Sequence, residues 1–211
     1  AMFAVVSSVP SERRDDARLD FARFYFARGY GPEALGVLRT IEYANPDMAS
    51  QPEFRALKSA IQVYMGRPLE ARKALLDPSL DRYKEIALWR GSMYLQSGDV
   101  KRAAAQFRAG EPALQSYPDP IKSRLAVELL EASLADLDIG TAGIWLGQLG
   151  GKLDSLPRGL AARVKYNQGA LARDSRKLDD ASVIWTELKE GKDRFNSARA
   201  EFALIELGLQ Q

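Results

Sequence analysis

The sequence predicts an all-α fold of about five helical hairpins followed by one C-terminal helix. Apolar residues recur three and four positions apart along most of the chain, which is the spacing of a helix with one buried face. Gly, Pro and Asp interrupt these stretches at regular distances, as they do where short helices end and begin. No alternating run of β-branched residues is long enough to predict a strand.

Each helix is predicted from an apolar face and from signals at its ends. Leu19, Ala22 and Phe26 show the helical spacing in the first helix. Gly98 suits a helix end because glycine accepts left-handed backbone, and Asp99 directly after it suits a helix start. The predicted helices span residues 12–28, 32–44, 52–65, 68–76, 80–97, 99–114, 120–136, 139–149, 157–174, 178–190 and 194–209.

The interruptions between helices are periodic. A small residue follows each predicted turn, with intervals of 37, 32, 39 and 39 residues between Ala34, Ala71, Ala103, Ala142 and Ala181. A near-constant period that contains a helix–turn–helix is typical of an α-solenoid. Because no flexible linker is evident, we expect a single domain over residues 1–211. It comprises an irregular lead at 1–10, hairpins over 11–192 and a capping helix over 193–211.

Residues 89–107, WRGSMYLQSGDVKRAAAQF, resemble a tetratricopeptide repeat (TPR). The resemblance rests on the spacing of six residues: Gly91, Tyr94, Gly98, Asp99, Ala103 and Phe107. Gly91 lacks a side chain, so a neighbouring helix can approach it closely. The other units match more weakly, and other solenoids of helical hairpins remain possible. The resemblance implies a right-handed α–α superhelix with a concave groove lined by the first helix of each hairpin.

In TPR proteins such a groove holds an extended peptide or a partner helix. Transferring the groove positions of the family one by one gives Arg23, Tyr64, Glu85, Gln96, Arg124, Glu131, Tyr166 and Arg173. Arg and Tyr are favoured at the energetic centres of protein interfaces. The Lys and Asn residues with which some TPR domains hold a chaperone tail are absent, since Leu19 and Arg23 occupy their positions in the first unit.

The composition predicts no enzyme and no cofactor. The chain has no Cys and no His, which removes thiol nucleophiles, imidazole bases and the usual zinc ligands. The Gly150–Lys152 stretch lacks the remainder of a phosphate loop, because Leu153 stands where a magnesium-binding Ser or Thr would be needed. We therefore predict no catalytic residue, no cofactor-binding residue and no metal ligand.

The expected function is a non-catalytic scaffold that binds a protein or peptide partner. The alternative is an architectural spacer or self-association module of a cell-envelope protein or multidomain enzyme. A net charge of +2 and the interleaved Glu53, Glu85 and Glu131 argue against nucleic acid, and no apolar run predicts membrane insertion. Residue usage and Ala1 ahead of Met2 suggest a module of a larger bacterial protein, with the periplasm or cell envelope weakly favoured over the cytoplasm.

Overall fold

The computed structural model describes residues 14–209, and this part of the chain is all-helical, without strands. The all-α prediction is confirmed for these residues. The predicted irregular lead at residues 1–10 lies outside them. The described helices are α1 Arg14–Ala27, α2 Gly31–Ala44, α3 Pro46–Ser50, α4 Pro52–Tyr64, α5 Pro68–Leu75, α6 Ile86–Gln96, α7 Val100–Leu114, α8 Asp119–Ala135, α9 Ile139–Gly150, α10 Arg158–Asp174, α11 Leu178–Lys189 and α12 Arg194–Leu209.

One predicted boundary is wrong by six residues. The helix predicted over 80–97 begins only at Ile86, because a 3-10 turn, Pro78–Leu80, precedes it. The side chain of Asp77 accepts a hydrogen bond from the backbone N–H of Ser79 at 2.9 Å and so caps this turn. The short helix α3 was not predicted at all.

The chain divides into two compact units, Ala1–Lys122 and Ser123–Gln211. In unit 1, α1 packs on α2, α4 on α5 and α6 on α7, and α4 also contacts α2 and α6. In unit 2, α9 packs on α10, α10 on α11, and α12 on both α10 and α11. Helix α8 runs across the boundary between the units. The single-domain assignment stays a prediction.

Five helix ends share one backbone conformation. Each has a residue with positive φ, between 60° and 81°, at Gly29, Gly66, Gly98, Leu137 and Arg176. The N–H of the next residue donates to the carbonyl five positions earlier, at 2.9–3.0 Å in every case. This is the main hydrogen bond of a Schellman motif, which satisfies carbonyls at a helix end. The residue five positions after each positive φ is one of the five periodic alanines, and all five are 0% exposed.

Two hairpins close around a glycine that faces an aromatic ring. A Cβ added to Gly91 in α6 would lie 2.9 Å from the ring of Phe107 in α7. A Cβ added to Gly169 in α10 would lie 2.4 Å from Nε1 of Trp185 in α11. The close helix approach predicted at Gly91 is therefore confirmed. Trp89, like Trp185, belongs to the core, with 2% of its surface exposed.

Candidate functional site

The surface of unit 1 contains an open cavity of about 380 Å³, which we call the unit 1 groove. The side chains that define it are Arg23, Phe26, Leu57, Glu85, Tyr117 and Ile121. They come from α1, α4, the residue before α6, and the turn and first residues of α8. Helices distant in sequence thus contribute apolar, basic and acidic side chains to one surface.

Two aromatic residues that line the unit 1 groove, Phe26 and Tyr117, belong to a cluster of four aromatic rings. The ring of Phe26 lies 5.5 Å from that of Tyr64 and 5.5 Å from that of Trp89, measured between centroids. Trp89 in turn donates its Nε1–H to the hydroxyl oxygen of Tyr117 at 2.7 Å. Aromatic pairs in tilted and edge-on arrangements stabilise each other beyond their burial. These contacts connect the aromatic residues that line the groove to the buried Trp89.

Tyr117 is the most strongly perturbed titratable group of the unit 1 groove. Burial raises the pKa of its hydroxyl to about 12. The hydrogen bond from Trp89 lowers this pKa, and the negative charge of Glu85 raises it. The hydroxyl is consequently neutral at any physiological pH and acts as a hydrogen-bonding group rather than as a base.

The rim of the unit 1 groove carries exposed charges. Arg23, with 51% of its side chain exposed, forms an ion pair with Asp20 at 2.9 Å. Beyond it, Glu53 accepts a hydrogen bond from the hydroxyl of Tyr83 and pairs with Arg82 at 3.1 Å. The bond from Tyr83 is the largest cause of a lowered pKa of Glu53, to which the charges of Arg82 and Arg23 also contribute. The rim is thus a mixed surface of cations and anions.

The four groove residues predicted in unit 1 occupy two kinds of position. Arg23 and Glu85 both line the unit 1 groove. Tyr64 does not line the groove but packs edge-on against Phe26, which does. Gln96 lies away from the cavity and donates from Nε2 to the carbonyl of Val63 and to Ser92 Oγ, both at 3.1 Å.

The four groove residues predicted in unit 2 all make contacts within that unit. Arg124 pairs with Glu128 at 3.2 Å, and Arg173 pairs with Asp174 at 2.8 Å. Tyr166 stacks at a tilt on Trp185, with 5.9 Å between ring centroids. Glu131, the fourth, belongs to a network of hydrogen bonds.

That network joins α8 to α10 through Arg163, a residue that the sequence did not single out. Arg163 donates from Nε and from a terminal nitrogen to the two carboxylate oxygens of Glu131, at 3.0 and 2.6 Å. Burial alone would lower the pKa of the guanidinium. The hydrogen bonds and charge of Glu131, together with the charge of Glu128, more than offset it, so the pKa of Arg163 is raised. Glu131 and Arg163 are 32 residues apart, close to the repeat spacing. This spacing was the only feature of the sequence that could have indicated their contact.

The groove also depends on residues that were not predicted to belong to it. Phe26 was assigned to the apolar face of a helix, and Tyr117 and Pro118 fall between the helices predicted over 99–114 and 120–136. Leu57 and Ile121 carried no distinguishing signal. In the structure all five line the unit 1 groove.

Three further observations bear on what the chain could do. Within residues 14–209, no three acidic side chains converge on a point where they could hold a metal ion. None of the helices described combines the length and the apolar character needed to cross a membrane. Comparison with protein-family models, with curated proteins and with solved structures finds no match to this chain.

Proposed function

We propose that this chain is a non-catalytic scaffold, a module of a larger bacterial protein, that binds an extended segment of a partner protein. The unit 1 groove is the binding surface in this proposal. The observation that carries it is the lining of that cavity, which brings aromatic and aliphatic side chains from successive hairpins together with the exposed Arg23 and Glu85.

The arrangement of hairpins supports a TPR-like, right-handed superhelical stack as the underlying architecture. Five turns of the same conformation, each followed at the same distance by a fully buried alanine, give hairpins of similar internal geometry. Stacking similar hairpins with a constant rotation produces an extended concave face, which solenoid proteins use for binding. The first helices α1, α4 and α6 would line that face in unit 1.

The size and chemistry of the unit 1 groove suit a peptide side chain. A volume of about 380 Å³ is at the low end of the roughly 300–1,000 Å³ typical of ligand pockets. It is sufficient for one aromatic or large aliphatic side chain, with the flanking peptide lying across the charged rim. Phe26, Leu57 and Tyr117 provide the apolar contact, and Arg23 and Glu85 provide polar contacts.

The same rim argues against a nucleic acid as the partner. A strand of phosphates requires a continuous row of Lys or Arg. Here Glu85 lies in the same cavity as Arg23, and Glu53 lies close enough for the charge of Arg23 to lower its pKa. Carboxylates at these positions would repel a phosphate backbone.

A displayed peptide library provides the direct test. Peptides selected on the intact chain should share an aromatic or large aliphatic anchor residue. The Ala27→Trp variant should bind them at least tenfold more weakly, because Ala27 lines the unit 1 groove and an indole there would fill it. Ala74→Trp is the matched control, since Ala74 is also half-buried but does not line the cavity. Equal binding by wild type and Ala27→Trp would refute the proposal.

A further inference from the structure

Helix α12 carries apolar side chains on two opposite faces. The face that packs within unit 2 is closed by small and aliphatic side chains, at most 3% exposed: Ala200, Ala203 and Leu207. On the opposite face Phe195 is 72% exposed, Phe202 71% and Ile205 57%. Ala198 lies among them and is also exposed. We call these four residues the α12 stripe.

The α12 stripe has the spacing of a helix–helix contact. Its members are separated by three, four and three residues, so they form a single row along the helix. Two phenylalanine rings in such a row are unfavourable in water, and their burial against another apolar surface is the expected use of the row. The order of side chains along it indicates what that surface is.

We propose that two copies of this chain associate through the α12 stripe, with the two α12 helices antiparallel. A two-fold axis level with residue 200 places Phe202 of one copy opposite Ala198 of the other, so that a large ring meets a small side chain. The same axis places Phe195 opposite Ile205. The stripe is therefore complementary in shape to itself, as an isologous interface requires.

The charges of α12 favour the antiparallel direction. Arg194 lies in the first turn and Glu206 in the last, and both are exposed. These signs are the reverse of what the helix dipole of an isolated α12 would favour. In an antiparallel pair, the C-terminal end of α12 in one copy lies beside the N-terminal end of α12 in the other. Glu206 of the first copy is then close to the positive helix end and to Arg194 of the second. A parallel pair would place like charges side by side.

The interface is small, which sets the expected affinity. Each buried phenylalanine contributes about 150 Å², and each copy brings two of them. The total area therefore falls below the roughly 1,200 Å² of standard interfaces. Interfaces of that size support reversible association rather than a permanent dimer. We expect the dimer to appear in the micromolar range and to dissociate on dilution.

Sedimentation velocity over a range of concentrations tests the association. The wild-type mass should rise from 23.4 kDa towards twice that value. Phe202→Glu should remain a monomer with an unchanged circular dichroism spectrum. Leu69→Glu is the matched control, because Leu69 is a 78% exposed apolar residue on α5, and it should dimerise like the wild type. A wild type that stays monomeric, or a Phe202→Glu variant that dimerises as Leu69→Glu does, would overturn the proposal.

Disulfide trapping tests the direction, since the chain contains no cysteine of its own. Position 198 of one copy faces position 202 of the other, so oxidation of an equimolar mixture of Ala198→Cys and Phe202→Cys should link the two variants. Arg194→Cys lies six residues from the axis, so its two copies would be about 18 Å apart at the helical rise of about 1.5 Å per residue. This separation is far beyond disulfide reach. A disulfide at Arg194→Cys, or none between Ala198→Cys and Phe202→Cys, would exclude the antiparallel pairing.

Discussion

The contact between Gly169 and Trp185 allows the packing of unit 2 to be tested with one methyl group. A Cβ at Gly169 would lie 2.4 Å from Nε1 of Trp185 and 2.7 Å from two of its ring carbons. Trp185 is 0% exposed, and its Nε1–H donates to the carbonyl of Tyr166 at 3.1 Å. The ring therefore cannot retreat without straining that hydrogen bond or overlapping its neighbours.

We expect Gly169→Ala to lower the free energy of unfolding by about 2 kcal/mol. Overpacking a core costs about 1–3 kcal/mol, and a weakened buried hydrogen bond adds about 1 kcal/mol. The better helix propensity of alanine offsets up to about 1 kcal/mol. For a chain of this length, the net loss corresponds to a decrease in Tm of about 4–8 °C.

Urea and thermal unfolding followed by far-UV circular dichroism provide the measurement. Gly147→Ala is the control within the same unit, because a Cβ at Gly147 meets nothing within 4 Å. It should stabilise the protein by up to about 1 kcal/mol through helix propensity alone. In a Trp185→Phe background the smaller ring should reduce the cost of Gly169→Ala. Equal stability of Gly169→Ala and Gly147→Ala would show that the glycine–tryptophan contact is not formed.

Three further predictions concern turns, titration and ion pairs. Arg176→Gly should raise the free energy of unfolding by about 1 kcal/mol, because φ at Arg176 is 61°, and an unchanged urea midpoint would contradict this. The pKa of Tyr117 is raised from 10.0 to about 12, so the neutral hydroxyl contributes to the free energy of unfolding. This contribution is fully present below pH 10 and is lost as the pH rises from 10 to 12. Tyr117→Phe should therefore lose less stability over that interval in urea titrations, and an equal loss would disprove the assignment. Arg124→Glu should destabilise the fold by about 2–3 kcal/mol, since it replaces the partner of a Glu128 side chain that is only 4% exposed with a second carboxylate. A thermal melt like that of the wild type would exclude this ion pair.

The helices were predictable where their limits are set by neighbouring residues. Gly98 takes φ of 79°, and Asp99 caps α7 by accepting from the N–H of Arg102 at 3.2 Å, as their types suggested. The start of α6 was not predictable in this way. Arg55 pairs with Asp77 at 2.7 Å, and Arg90 donates to the carbonyl of Leu75 at 2.6 Å. These contacts hold the segment before α6 in turns, and they join residues that the local sequence pattern does not relate.

The candidate groove was less predictable than the hairpins, for a related reason. The groove positions transferred from the TPR family identified the charged Arg23 and Glu85. They did not identify Phe26, Leu57 and Ile121. Phe26 and Ile121 are only 6% and 1% exposed, so they have the apolar character, the spacing and the burial of core residues. Whether such a side chain also borders an open cavity depends on what packs above it. Helical periodicity contains no information on that point.

The periodic alanines marked all five turns, whereas glycines marked only three of them. Glycine occupies the left-handed position in three turns, whereas Leu137 and Arg176 occupy it in the other two. For a residue with a side chain this conformation costs about 1–2 kcal/mol. Leu137 is 74% exposed and Arg176 is exposed, so neither side chain meets any obstruction beyond its own backbone. The alanine five positions later has no such freedom, because it is 0% exposed after all five turns and a larger side chain would have no space. The close approach of the two helices therefore constrains the residue type more strictly than the turn does.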